Sequence, residues 1–224
     1  MTRPHLAAIA LATASLLCGS AVRAQDFKAA VGSTPVPSEI QSSIRSLIAP
    51  VSTNITSGNS PYCEIWTRAS IPAASTPATA LGVTYTTLVE GEIVGAIHFD
   101  VPVKDFRNQS VQPGTYILRY GQQPVDGNHQ GVSDYRDFLL LTPAAQDNSA
   151  DNLADKDLYV LSRKTTTTGH PSVWSLVPTD SAPTSLPGIK NNSDEQFTAA
   201  YFKATVGTSP ITIGLVISGH AQTP

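Results

Sequence analysis

The feature that most constrains this chain is a change of hydrophobic period that happens only once. A helical stripe of Ile40, Ile44, Leu47 and Ile48 is followed by short alternating or apolar runs as far as residue 217. Ser38, with Gln41 three residues on, has the form of a capping box, and Pro50 stops the segment. A helix is therefore predicted near residues 38–49, packed on a sheet or over an open sandwich end. The later runs span 62–68, 80–88, 92–100, 114–120, 136–141, 157–163, 172–176, 197–204 and 211–217, with Glu90-Gly91 read as a hairpin turn. Nine short strands with Gly and Pro between them predict a mainly β fold, an antiparallel β-sandwich or jelly roll. Strands that never alternate with helices argue against a parallel α/β sheet.

Residues 1–24 read as a signal peptide. Arg3 and His5 form a basic start, an apolar run extends from Leu6 to Cys18, and Val22-Arg23-Ala24 fits a cleavage site before Gln25. Residues 25–37, with Pro35 and Pro37, read as a flexible leader, and 38–220 as a single β-sandwich domain. The expected location is therefore exported, either periplasmic or extracellular. Loss of Arg3 and Arg23 from the 14 basic residues leaves 12 against 17 acidic ones, a formal charge of −5. There is no basic tract, which argues against nucleic acid as a partner. No later apolar run approaches membrane-spanning length. Only Cys63 remains after cleavage, so an internal disulfide is impossible, and the residue reads as a buried small hydrophobe.

The densest polar stretch is residues 121–138, GQQPVDGNHQGVSDYRDF. It is longer than a simple hairpin needs, and long loops on a rigid β scaffold often carry binding residues. Gly127 and Gly131 bracket His129, while Arg136 and Asp137 are placed to brace the base in local salt bridges. The expected ligand-contacting residues are Arg119, Asp126, His129 and Arg136, with His98 close in space. His98, beside Asp100 on a strand, and His129 with His170, Cys63 or Glu64 are the candidate ligands for copper or zinc. The 143–156 loop carries Asp147, Asp151 and Asp155 but lacks the Gly and Glu of a calcium loop, and reads as solvated. Trp66, Trp174, Tyr116, Tyr120 and Tyr135 are candidates for stacking a glycan, or for the core.

At Pro113-Gly114-Thr115-Tyr116, leading into Ile117-Leu118-Arg119-Tyr120, the chain resembles uncharacterised secreted bacterial β-sandwich proteins in which a Pro-Gly-Thr-Tyr turn launches a central strand. The likeness extends faintly over residues 81–142 and implies fold class alone.

No catalytic signature is complete: there is no Gly-x-Ser-x-Gly elbow, no His-Glu-x-x-His and no phosphate loop. The leading reading is an exported binding or accessory protein without catalytic activity or cofactor, acting on a small molecule, glycan or protein. Its alternative is a periplasmic copper or zinc protein using His98 and His129. A third is a hydrolase with a His129–Asp126 acid/base pair. N-terminal sequencing of exported protein is expected to read from Gln25. A start within residues 1–20, or retention of the whole segment, would refute the assignment.

Overall fold

The computed structural model describes residues 26–124 and 135–221. The proposed signal peptide and the calls on Asp126 and His129 lie outside them. The strands are β1 (Phe27–Gly32), β2 (Ile48–Ser57), β3 (Ser60–Arg68), β4 (Ile93–Phe99), β5 (Val103–Lys104), β6 (Ser110–Val111), β7 (Gly114–Gln122), β8 (Asp137–Pro143), β9 (Val173–Val177), β10 (Gly188–Asn192), β11 (Phe197–Val206) and β12 (Ser209–Ser218). Two helices interrupt them, α1 (Ser42–Arg45) and α2 (Asp155–Ser162). Ten strands form one antiparallel sheet in the order β1-β2-β3-β4-β7-β8-β9-β12-β11-β10, and β5 pairs only with β6. The end strands β1 and β10 touch, so the sheet is nearly closed.

One face of this sheet makes the main core. Ile65, Ile97, Phe99, Leu118, Leu139, Trp174, Leu215 and Phe202 alternate inward from seven different strands. Phe99 stacks on Trp174 at 4.9 Å between ring centroids, joining β4 to β9. The Tyr62 hydroxyl donates to the Ile217 carbonyl at 2.7 Å, joining β3 to β12. A register shift between Ile55 and Thr56 brings Tyr62 onto the same side as Cys63, where strict alternation would have opposed them. A second shift, between Ile93 and Gly95, puts Val94 inward and Ile93 outward.

The other face is also largely covered. Trp66, Ala96 and Ile117 lie under Ile40, Ile44 and Ile48, and the Trp66 indole donates to the Thr34 carbonyl at 3.0 Å. The apolar stripe therefore packs on the sheet as its pattern requires. Helical backbone is confined to one turn, and Ile48 already opens β2. Residues 27–32, expected to be leader, pair with β2 along their whole length.

Two further expectations change. Residues 157–163 are expected as a strand, but 157–162 belong to α2 and Arg163 opens the 3-10 turn that follows; α2 begins at Asp155 with Asp155 and Asp157 in its first turn, where carboxylates suit the helix dipole. Residues 80–88 form turns and not a strand. Asp137 captures the Thr84 N–H at 2.6 Å, and Tyr85 reaches across to the Val177 carbonyl with its hydroxyl, at 2.8 Å. Among the described residues no helix is long and apolar enough to cross a membrane.

The outward side chain of Arg119 on β7 is fully buried and spends all five of its N–H donors. Asp147 takes two of them at 2.7 and 2.8 Å, and the Gly91, Asp151 and Ser149 carbonyls take the others at 2.7, 3.0 and 2.6 Å. Gly91 has φ +80°, and a Cβ there would sit 1.8 Å from the Leu153 carbonyl oxygen, so only glycine fits.

Truncating one partner of this pair strands a buried charge. Asp147→Ala is expected to lower unfolding free energy by about 3–5 kcal/mol in urea denaturation; a loss below about 1 kcal/mol would show the pair to be dispensable. Cys63, 1 % exposed, has its thiol pKa pushed up by burial and by the neighbouring Asp100 and Glu64. Cys63→Ala should cost roughly 1 kcal/mol, and a bulky maleimide should label the native thiol only as the protein unfolds. Rapid labelling would contradict the burial.

Candidate functional site

A cavity of ≈ 350 Å³ lies on the outward faces of β8 and β9. Its floor follows from alternation. Leu139 and Trp174 point into the core, so Phe138 and Leu140 on β8, with Val173 and Ser175 on β9, point outward. The register pairs Phe138 with Ser175 and Leu140 with Val173, which sets the four side chains side by side.

The walls are held by buried polar contacts. Phe106 and Arg107 come from the β5–β6 hairpin, whose loop is organised around Asp105. The Asp105 carboxylate is fully buried and accepts the Arg107, Gln109 and Val173 N–H groups at 3.0, 2.8 and 2.9 Å, and the Gln109 side-chain amide at 2.8 Å. Burial pushes its pKa up despite these bonds. Gln109 donates in turn to the Pro171 carbonyl at 3.0 Å and accepts from Thr168, fixing the segment that presents His170. Tyr159 on α2 also lines the cavity, and burial together with Asp155 and Glu90 raises its phenol pKa. Gln123, Pro124 and Tyr135 line it as well.

Two lining groups differ sharply in their bonding. Asp137, 1 % exposed, is fully engaged: Oδ1 accepts the Tyr120 hydroxyl at 2.5 Å and Oδ2 the Thr84 N–H at 2.6 Å. Burial and this carboxylate hold the Tyr120 phenol well above its ordinary range. Ser175, 2 % exposed, has a hydroxyl with no hydrogen-bond partner, the one such buried side-chain atom among the described residues. A buried hydroxyl left unpaired costs about 1–3 kcal/mol, so each instance requires a reason.

The residues singled out from sequence are distributed differently. Arg119 lies in the interior with every donor occupied, so none remains for a ligand. Arg136 braces the base of the β7–β8 connection as expected, through the Gln123 and Leu81 carbonyls, and among the described residues it forms no salt bridge. His98 is not among the cavity's described lining residues; its Nδ1 meets the Thr115 hydroxyl at 2.8 Å, and that hydroxyl donates to Glu39 at 2.5 Å. The Thr115 hydroxyl has one proton, so with it given to Glu39 the hydroxyl oxygen is left to accept from the His98 Nδ1 side. His170 does line the cavity. Among the described residues no three His, Cys, Asp or Glu side chains are grouped to hold a metal ion. Asp147, expected in a solvated loop, is fully buried. Trp66, Trp174, Tyr116 and Tyr120 are buried, which leaves Tyr135 as the lining aromatic of that set.

Sequence reasoning missed Ser175, Arg107, Phe106 and Tyr159. The signal for Ser175 was present: it stands out of phase between Trp174 and Leu176 in an otherwise apolar run. Nothing local marks Arg107, whose place depends on Asp105 binding β9. No family model, no curated protein and no solved structure matches this chain.

Proposed function

We propose that this is an exported, non-catalytic β-sandwich protein, periplasmic or extracellular, that binds a small molecule over β8 and β9. The observation that carries the reading is the unpaired Ser175 hydroxyl in an apolar floor. A cavity with apolar lining and a few placed polar groups, within the size range of ligand sites, is the ordinary form of a small-molecule site. The ligand would lay an apolar body on Phe138, Leu140 and Val173 and give Ser175 one hydrogen-bonding atom. Among the described residues Ser175 has no hydrogen-bonded base, which favours binding over nucleophilic chemistry.

The sandwich reading is supported by the brevity of β9. It pairs with β8 over three residues and with β12 over two, so the sheet has a weak corner there. A fold at that corner sets β12 and β11 against β3, in keeping with the Tyr62–Ile217 bond.

Two variants test the cavity. Val173→Trp should fill it and abolish the fluorescence enhancement of the uncharged dye N-phenyl-1-naphthylamine, with circular dichroism unchanged. Ser175→Ala removes an unpaired polar atom, so the ligand-free protein should become more stable by about 1 kcal/mol, a melting shift of roughly 2–4 °C, while dye binding weakens. Equal dye binding by wild type and Val173→Trp would defeat the proposal.

A further inference from the structure

The reading of the cavity as a ligand site leaves the charge of the ligand open, and the rim bears on it. Arg107 and His170 are both exposed and both line the cavity. The backbone N–H of Arg107 is pinned by Asp105 at 3.0 Å, so the root of the side chain is fixed. Its guanidinium forms none of the ion pairs among the described residues, which are Lys28–Asp26, Arg68–Glu92 and Arg119–Asp147. An arginine held at its root with its fork unspent is suited to planar anionic groups. Among the described lining residues the one carboxylate, Asp137, is buried and already accepts from Tyr120 and Thr84. The charge that these described residues offer at the mouth is therefore positive. The chain as a whole carries a formal charge of −3, so its overall field does not attract anions, and any preference for one must come from these local groups.

We propose that the cavity takes an amphiphilic anion, resting on the reading of the cavity as a ligand site. An apolar ring body lies on Phe138, Leu140 and Val173, one polar atom meets Ser175, and a carboxylate or sulfonate faces Arg107 and His170 at the rim. Lipid-derived and aromatic acids share this chemistry.

Two dyes isolate the charge. 8-Anilinonaphthalene-1-sulfonate and N-phenyl-1-naphthylamine have the same ring body, with and without the sulfonate. On the full chain the sulfonate dye should bind about 10-fold more tightly, the scale of one charge-assisted hydrogen bond. Arg107→Gln should remove most of that difference without changing the affinity for the neutral dye, and Arg107→Lys should restore part of it. Near-ultraviolet circular dichroism and the melting temperature should stay those of the folded protein, which separates site binding from dye uptake by loosened chains. Equal or tighter binding of the neutral dye, or an Arg107→Gln variant with unchanged sulfonate binding, overturns the anion preference and leaves the cavity reading standing. Failure of both dyes to bind overturns the cavity reading and this inference together.

Discussion

The buried guanidinium of Arg119 is the constraint on which the outward half of this molecule depends. Placing a charge in an interior carries a desolvation penalty of several kcal/mol, which only complete and well-aligned bonding offsets. Here the compensation comes from four places in the chain: the Asp147 carboxylate and the Gly91, Ser149 and Asp151 carbonyls. The residues of the β8–α2 connection are thereby drawn onto β7, and Asp147 is further held by the Thr142 hydroxyl at 2.5 Å. That connection leads directly into α2, and α2 supplies Tyr159 to the cavity. A wall of the cavity is thus positioned by a charge pair with every arginine donor already spent.

Both faces of the sheet are consequently apolar for much of their extent, and this explains what was and was not legible in the sequence. Strands β3, β4, β7, β8, β9, β11 and β12 correspond to runs readable as strands, because each carries an inward apolar set at period two. Strand β1 escaped notice because it is an end strand with Ala29, Ala30 and Gly32 in place of large side chains. The first residue of β2 hid inside the helical stripe, since Ile40, Ile44 and Ile48 do lie on one surface although only Ser42–Arg45 is helical. Helix α2 was mistaken for a strand because Leu158 and Val160 alternate locally, yet Val160 is half exposed while Leu158 is buried. The acidic residues at 155 and 157 were the better signal.

The candidate site was less legible for a physical reason. Arg119 looks like a surface cation on a strand until its partner, 28 residues away, is known. His98 reads as a solvent-facing imidazole, and the structure engages its Nδ1 side with Thr115, which in turn meets Glu39. Both readings took polar groups on the outward face to meet solvent. That face is covered by residues near 34–48 and 143–162, so its polar groups are committed to the covering segments.

Ser175 is the exception to that pattern, and the contrast gives it meaning. Around it Asp105 accepts four hydrogen bonds, Asp137 is satisfied on both oxygens, and the Trp174 indole next in sequence donates to Ser172 at 2.8 Å. A fold that satisfies its buried polar atoms this thoroughly, yet leaves one hydroxyl open on a cavity floor, keeps a local destabilisation that alanine would remove. Proteins commonly retain such costs where function requires them and not elsewhere. The hydroxyl faces Phe138 across the β8–β9 register and lies below a rim with an unspent arginine. Under the proposed reading, its missing partner is a molecule that also meets that rim.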